Sequence, residues 1–406
     1  MKKIIAILCA AAMAVTAGAS FAETAETAPR ATVPEITGIK QYKLPDNEAF
    51  RFMRELKTGW DLGNTFDAYD DQGWFKGEEP TMETAWHRTT TTRELIAAVK
   101  EAGFNTIRIP VSWHNHVDEQ FTINPVWLER VREVAGWAVD EGMYVIVNVH
   151  HDNSEAFFYP DSAHYESSAA YLSAIWGQMA EAFAEYDDHV ILESMNEPRL
   201  VNTDYEWYFN DSIPECRDAA ECINRLNQLF VDTVRAAGGN NATRYLSVPG
   251  YSGSPDGVLS NCFRIPEDTA ENRIIIEVHA YRPYNFALNL GEGSVSSFNI
   301  DTDWQYTSDI SVFMSELYRK FVSKGIPVII DEYGALKKGD NLQDRVSFTA
   351  YYICSASARG MTCCLWDNCA FSGSGELFGV IDRKTCEWVY PEIVDAIMAY
   401  CTYNRQ

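Results

Sequence analysis

The chain has 406 residues, of which 46 % are hydrophobic, and it carries a formal net charge of −25 at pH 7. So strong a negative charge repels phosphate backbones and anionic lipid surfaces, which argues against nucleic acid or a membrane as a partner. The length exceeds that of the usual single domain, but it suits a barrel of strands and helices with loop insertions.

The first 22 residues have the three-part pattern of a secretory signal peptide. Lys2 and Lys3 give a positive start, residues 4–15 form an apolar run, and residues 20–22 place small residues where a signal peptidase recognises them. The apolar run is too short to span a membrane. The sequence therefore predicts cleavage after Ala22 and a secreted protein, either extracellular or periplasmic.

Residues 23–45 are rich in Ala, Thr, Pro and Glu and show no sustained apolar period, so we predict a flexible lead-in. Residues 46–406 contain no Ser/Thr/Pro-rich linker and are predicted to form one domain. Cys216 and Cys222 are close enough in sequence to close a local loop through a disulfide. No spacing of Cys and His along the chain is typical of a zinc site.

Short apolar segments alternate with longer amphipathic ones from residue 59 onward. The predicted strands are residues 59–64, 106–110, 144–149, 190–194, 245–249, 274–279, 327–331 and 362–367, and the predicted helices include residues 91–102, 125–141, 168–186 and 309–323. Asn124 before Pro125 is a typical helix start, and Gly103 and Gly142 are typical helix ends. This alternation predicts an α/β fold, the (β/α)8 TIM barrel, although periodicity alone also permits a doubly wound sheet.

Polar residues stand at the carboxyl ends of most predicted strands, which favours the barrel because such residues converge on the rim of its active site. Glu197 and Glu332 each follow an apolar strand, the fourth and the seventh, so they face each other across that rim. A single glutamate after a strand is more often a surface or ion-paired residue. Two in matched positions favour the pair of carboxyls that glycosidic hydrolysis requires.

The chain resembles glycoside hydrolase family 5, and within it subfamily 4, the endoglucanases and xyloglucanases. The matching segments, which span most of residues 59–390, are residues 59–68, 83–86, 102–113, 148–151, 196–198, 332–334, 365–368 and 378–383. The resemblance implies a secreted, retaining endo-β-1,4-glucanase that hydrolyses cellulose, mixed-linkage glucan or xyloglucan. We expect a monomer that acts on polysaccharide or oligosaccharide substrates without a cofactor or a metal.

The resemblance also implies roles for individual residues. Glu197 matches the general acid/base and Glu332 the nucleophile, which implies carboxyl groups about 5–5.5 Å apart and a raised pKa on Glu197. Arg108 matches the arginine that keeps the nucleophile ionised, with a structural ion pair near the barrel floor as the alternative. Asn196 matches the asparagine that contacts the sugar 2-hydroxyl.

Further residues are expected along the substrate cleft. Those matching the family's sugar-site residues are His150, His279 and Tyr281, with Trp366 as a stacking platform and Asn64 and His116 as additional candidates. His151 serves either the substrate or the packing around it. Adjacent histidines could also suggest a metal, but neighbouring side chains at a strand end diverge, so none is predicted. Among the other tryptophans, Trp86, Trp113 and Trp207 are cleft candidates, with core packing as the default.

Two alternatives remain at this stage. A xylanase or mannanase would use the same scaffold with different groove residues. A carbohydrate-binding protein without activity would have a damaged catalytic pair, whereas Glu197, Glu332 and Arg108 are all present. Asp331, which precedes Glu332, departs from the glycine common in relatives and adds a second carboxyl beside the nucleophile.

Overall fold

A computed structural model describes residues 30–404 of the chain, and its core is a closed barrel of parallel strands in chain order. The strands are β1 (Gly59–Leu62), β2 (Thr106–Ile109), β3 (Tyr144–Asn148), β4 (Val190–Glu193), β5 (Leu246–Val248), β6 (Ile274–His279), β7 (Val328–Tyr333) and β8 (Thr362–Asp367). Pairing of β1 with β8 closes the barrel. This confirms the predicted TIM barrel and removes the doubly wound sheet, which would leave two open edges.

The helices surround the barrel and connect successive strands. They are α1 (Glu48–Glu55), α2 (Arg93–Glu101), α3 (Pro125–Asp140), α4 (Tyr165–Ala182), α5 (Pro214–Ala236), α6 (Pro255–Leu259), α7 (Tyr284–Ala287), α8 (Trp304–Lys320), α9 (Leu342–Ala358) and α10 (Pro391–Tyr400). A small hairpin, β9 (Ile381–Asp382) and β10 (Glu387–Trp388), follows β8. Within residues 30–404, no helix is long and apolar enough to cross a membrane.

Local sequence signals place several of these helix ends. The Asn124 side chain accepts the backbone N–H of Val126 at the start of α3. Gly103 and Gly142 have φ values of 105° and 68°, which glycine adopts at no steric cost. Cys216 and Cys222, which are close enough in sequence for a local disulfide, lie in the continuous helix α5 and form no disulfide there.

The barrel interior is layered, because alternate residues of each strand point inward. The bottom layer, at the amino ends of the strands, is apolar and includes Ile146, Ile191, Ile275 and Ile329, and it packs on side chains of α1. Helix α1 therefore closes the bottom of the barrel. Each apolar side chain buried there contributes about 1.5–3 kcal/mol relative to exposure.

The next layer up carries charge. Glu193, Glu277 and Asp331 stand two residues beyond the bottom layer on their strands, and Asp61 of β1 and Arg108 of β2 interact with these acids; all five are fully buried. We call these five residues the charged layer. It lies directly beneath the carboxyl ends of the strands, so any group on the rim of the barrel rests on it.

The prediction of a flexible lead-in over residues 23–45 is wrong for residues 30–45, which pack along α9 and α10. Ala31 and Ile36 are buried, and the backbone N–H of Ile36 donates to the Tyr400 hydroxyl at 2.8 Å. The backbone N–H of Tyr42 donates to the Ala358 carbonyl at 2.9 Å. The segment forms neither a helix nor a strand, so its sequence shows no apolar periodicity. It is held in place by contacts with the helices. The predicted signal peptide, residues 1–22, and residues 23–29 lie outside the described part of the chain.

Candidate active site

Glu197 and Glu332 meet at the rim of the barrel. One oxygen of Glu197 and one of Glu332 lie within 4.8 Å of each other. Both Glu332 oxygens are held: Oε1 accepts from Arg108 at 2.6 Å, and Oε2 accepts from the Tyr281 hydroxyl at 2.9 Å. A carboxylate held at both oxygens has a fixed orientation, which an attacking nucleophile requires.

An irregularity in β7 explains how Asp331 and Glu332, which are adjacent, both face the barrel interior. Successive side chains of a regular strand point to opposite faces. The pairing of β7 with β8 shifts between Ile330 and Tyr333, and the pairing of β6 with β7 shifts at His279. Such bulges redirect side chains and are common beside active sites.

Arg108 connects the charged layer to the rim. Its Nε and one Nη donate to the two oxygens of Glu193, each at 2.7 Å, and the same Nη donates to Asn196 Oδ1 at 2.8 Å. The other Nη donates to Glu332. Burial alone would lower the pKa of Arg108, but the carboxylates of Glu193 and Glu332 raise it well above its usual value. The guanidinium is therefore a permanent cation with a rigid set of donors.

Glu193 is a site residue that the sequence analysis missed. Its side chain is fully buried, and besides Arg108 it binds Asn148, whose Nδ2 donates to Glu193 Oε1 at 2.8 Å. A signal was present in the sequence, since Glu193 lies two residues after the inward-facing Ile191 and so shares its face of β4. A charged residue on the buried face of an apolar strand requires a partner.

His279 lies between the two glutamates. Its Nδ1 is 2.9 Å from Glu197 Oε1 and 3.5 Å from Glu332 Oε2. Burial alone would lower the pKa of His279, but the surrounding carboxylates, Glu332 first, raise it to about 9. The imidazole is therefore protonated at neutral pH.

The same contact corrects the predicted raised pKa of Glu197. Burial alone would raise the pKa of this carboxyl, but the hydrogen bond and charge of His279, together with the nearby Arg199 and His151, outweigh burial and lower the pKa. Glu197 and His279 share one proton along a 2.9 Å hydrogen bond, and that proton resides on the histidine in the absence of substrate.

His150 is fixed as a neutral donor. The side-chain amide of Asn148 donates to His150 Nδ1 at 3.0 Å, and the carbonyl oxygen of the same amide accepts the backbone N–H of Val111. Burial lowers the pKa of His150 well below its usual value. The proton of the neutral ring therefore sits on Nε2. The Trp366 ring lies parallel to His150, at 2° and 5.9 Å between centroids, and is 8 % exposed.

The remaining predicted residues are dispersed. Asn64 lies just after β1 with a φ of 58°, and the His151 ring packs 5.8 Å from that of Trp86. The contacts of His116 are with Glu79, which it binds, and with Trp127 of α3, on which it stacks at 3.8 Å between ring centroids. Its predicted place in the catalytic cleft is not supported.

The three tryptophan candidates also separate. Trp113 is fully buried and donates its indole N–H to the Asn148 carbonyl, so it belongs to the core. Trp86 is 36 % exposed and Trp207 is 63 % exposed, which leaves both rings open to a ligand.

Arg199 is a second residue that the sequence analysis missed. It follows the segment 196–198, and its guanidinium stacks on Trp207 at 4.0 Å from the ring centroid. One Nη lies 3.6 Å from Glu197 Oε2 and donates to the Glu197 carbonyl at 3.0 Å. Adjacency to Glu197 was the available signal, because a cation beside a catalytic carboxyl influences its charge.

Within the described residues 30–404, three groups of ligand-type atoms lie close enough together to hold a metal ion. They are Asp67, His150 and His151; Glu193, His279 and Asp331; and Glu197, His279 and Glu332. In the last two groups, Glu193, Glu197 and Glu332 already bind Arg108, His279 or Tyr281. The absence of a metal requirement therefore stays a prediction.

The family model for cellulases, glycosyl hydrolase family 5, matches residues 69–372. The chain is 40 % identical over 353 residues to endoglucanase B of Neocallimastix patriciarum, a match covering 85 % of this chain and 70 % of that relative. The next two curated relatives are longer still, and the chain spans 65 % and 47 % of their lengths.

Solved structures give a closer match. A family 5 lichenase of Caldicellulosiruptor sp. F32, in complex with cellotetraose, is 54 % identical with a TM-score of 0.90, covering 92 % of this chain and 100 % of that one. A broad-specificity subfamily 4 endoglucanase of Ruminococcus champanellensis with bound cellotriose is 42 % identical with a TM-score of 0.80, covering 88 % and 100 %. With the family model matching most of the barrel, the chain belongs to glycoside hydrolase family 5, the cellulase family.

Proposed function

We propose that this protein is a secreted, retaining endo-β-1,4-glucanase that cleaves internal bonds of cellulose, mixed-linkage glucan and xyloglucan. The proposal depends on one observation above all: oxygens of Glu197 and Glu332 lie within 4.8 Å of each other. Retaining glycosidases hold their carboxyl groups about 5–5.5 Å apart, whereas inverting enzymes need roughly 6.5–9.5 Å to admit a water. The short spacing supports a double displacement.

In the first displacement, Glu332 attacks the anomeric carbon as the bond to the leaving oxygen breaks, and Glu197 protonates that oxygen. A glycosyl ester on Glu332 results. In the second displacement, Glu197 takes a proton from a water whose oxygen attacks the same carbon, and the ester bond breaks. Both carboxyl groups then return to their initial states.

The neighbours of the pair suit these steps. Arg108 and Tyr281 hold Glu332 as an oriented carboxylate. The proton that Glu197 delivers is the one it shares with His279, so the low pKa of Glu197 without substrate does not deprive it of an acid role. Transfer from the imidazole to the carboxyl needs no movement beyond the hydrogen bond.

The substrate preference follows from the relatives rather than from the catalytic residues. The solved family 5 neighbours include a lichenase and a broad-specificity endoglucanase, crystallised with cello-oligosaccharides. Exposed Trp86 and Trp207 offer aromatic faces of the kind on which pyranose rings stack. The cello-oligosaccharides bound by these neighbours favour a glucan over xylan or mannan, whereas the exposed tryptophans support binding of any pyranose polymer.

The test is reducing-sugar release from barley glucan, carboxymethylcellulose, xyloglucan, xylan and mannan, with Glu332→Gln and Glu197→Ala measured beside the wild type. We expect activity on the glucans, lost by at least roughly 10³-fold in Glu332→Gln because the amide is no nucleophile. Glu197→Ala should retain turnover of substrates with an activated leaving group, and azide should accelerate it.

If azide instead accelerated a Glu332 variant and gave a glycosyl azide of retained configuration, Glu332 would be the acid/base and Glu197 the nucleophile. Xylan or mannan as the preferred polymer would overturn the glucan assignment, and a folded protein inactive on every polymer would overturn the activity. Secretion is tested separately by mass spectrometry of the mature protein, which should begin after Ala22.

A further inference from the structure

Asp331 is a buried carboxyl beside the nucleophile to which the double displacement gives no role. It is fully buried, and among residues 30–404 the only side chain in hydrogen-bonding contact with its oxygens is the buried carboxyl of Glu277. Its closest cations are His279, with Nε2 3.5 Å from Oδ1, and Arg108, with Nε 4.0 Å from Oδ2. Two buried carboxyl groups in contact cost free energy unless a proton lies between them or a cation faces them.

His279 connects this carboxyl to the acid/base. Its Nδ1 lies 2.9 Å from Glu197 and its Nε2 lies 3.5 Å from Asp331. The imidazole therefore separates two carboxyl groups, and a change in charge on one side alters the affinity for the proton on the other. The three side chains form a row across the barrel mouth: Glu197 follows β4, His279 ends β6 and Asp331 lies on β7.

The surroundings of Asp331 hold more acids than bases. The groups that face it are Asp61 on β1, Arg108 on β2, Glu193 on β4, Glu277 and His279 on β6, the adjacent Glu332 on β7 and the Cys364 thiol on β8. Burial, reinforced by Glu193, raises the pKa of Asp331 to about 7, and burial raises the pKa of Glu277 well above its usual value. Asp331 thus becomes charged near neutral pH, while Glu277 retains its proton and provides a donor.

We propose that Asp331 is a positioning residue for the acid/base step, which acts through His279 to keep the transferable proton on the Glu197–His279 pair at alkaline pH. The inference rests on the proposed function of Glu197. A negative charge at Asp331 attracts the proton toward the imidazole, so the pair as a whole loses it only at higher pH. Without that charge, the acid is lost at lower pH.

The test compares the pH profile of kcat/KM on barley glucan for the wild type, Asp331→Asn and Ile329→Val. Asparagine keeps the shape of the side chain but removes the charge, so the alkaline limb should move to lower pH by about one unit, a tenfold relative loss at that end. The plateau at acidic pH should change far less. Ile329→Val perturbs the same strand in the bottom layer, and its limb should coincide with that of the wild type.

An alkaline limb of folded Asp331→Asn that coincides with the wild type would overturn the proposal. Should Asp331→Asn fail to fold, an NMR titration of ¹⁵N-histidine in the wild type, assigned by the signal lost in His279→Asn, decides instead. His279 should show a second inflection near pH 7, and its absence would overturn the proposal. Wild type without glucanase activity would overturn the proposed function itself, whereas an unshifted variant of an active enzyme would overturn only this inference.

Discussion

At the scale of single residues, Arg108 supports the whole site. One guanidinium serves two oxygens of Glu193, one of Glu332 and one of Asn196, all at 2.6–2.8 Å. A buried arginine of this kind aligns its partners through the planar fork of its donors. The carboxylates also neutralise it, so Arg108 forms a structural ion pair with Glu193 and at the same time holds Glu332, the proposed nucleophile.

We expect Arg108→Lys to lower kcat/KM on glucan by about 10²-fold or more. Lysine keeps the charge but has one donor nitrogen in place of three, so it cannot reach all of the partners of Arg108. At least one of the charge-assisted hydrogen bonds, each worth about 1.5–3 kcal/mol, is therefore lost. Steady-state kinetics measure the effect. Arg132→Lys, on the outer face of α3 with partly exposed acidic partners, is the control and should retain full activity. Retention of more than a tenth of the activity by folded Arg108→Lys would contradict this account.

At the scale of elements, helix α1 and the carboxyl ends of the strands lie at opposite ends of the barrel and have different roles. The carboxyl ends of the strands carry the polar residues, whereas α1 seals the opposite end. Phe52 of α1 stacks on Tyr245 at 3.7 Å between ring centroids and meets Tyr144 edge-on at 5.4 Å. The charged layer lies between this seal and the active site, so packing at the bottom is remote from the chemistry.

Phe52→Ala should therefore lower the free energy of unfolding by about 3–5 kcal/mol while leaving kcat/KM of the folded enzyme within about twofold. Urea titration and kinetics at 25 °C measure the two quantities. Arg51→Ala is the matched control: it lies on the exposed side of the same helix, binds Asp46, and should change stability by less than about 0.5 kcal/mol. A large loss of kcat/KM in folded Phe52→Ala would show that the bottom layer and the rim are coupled.

At the scale of the whole molecule, the folded state retains protons that the unfolded chain releases. Burial raises the pKa of Asp61 and Glu277 well above their usual values, and the neighbouring carboxylates outweigh burial to raise that of His279 to about 9. The fold thus tolerates its charged layer by protonating part of it. The acidic groups on the surface, by contrast, remain ionised because water solvates them.

The consequence is a loss of stability at alkaline pH. A histidine whose pKa rises from about 6.5 unfolded to about 9 folded contributes stability that is complete below pH 6.5 and lost as the pH rises through 9. A shift of this size corresponds to about 3 kcal/mol. We expect the urea midpoint to fall between pH 7 and pH 9, and to fall less in His279→Asn. A midpoint that stays constant or rises over this range would contradict the proton balance described above.

Local sequence patterns were sufficient to predict the strands of the barrel and to single out the proposed catalytic pair. Eight apolar segments alternating with helices predicted the barrel, and the observed strand ends differ from the predicted ones by at most two residues. Glu197 and Glu332 were identifiable because each follows an apolar strand, a pattern contained within a few residues. Such patterns involve only neighbouring residues, so they can be recognised without knowing the tertiary structure.

The contacts between these residues could not be predicted from local patterns. Arg108 and Glu332 are 224 positions apart in the chain, and no local pattern states that their side chains lie 2.6 Å from each other. The burial of Trp113, the turning of His116 toward α3, the packing of residues 30–45 and the lowered pKa of Glu197 all arise from partners remote in sequence. The physical reason is that the burial of a side chain and the charge it carries depend on the residues around it. Those residues come together only when the barrel closes.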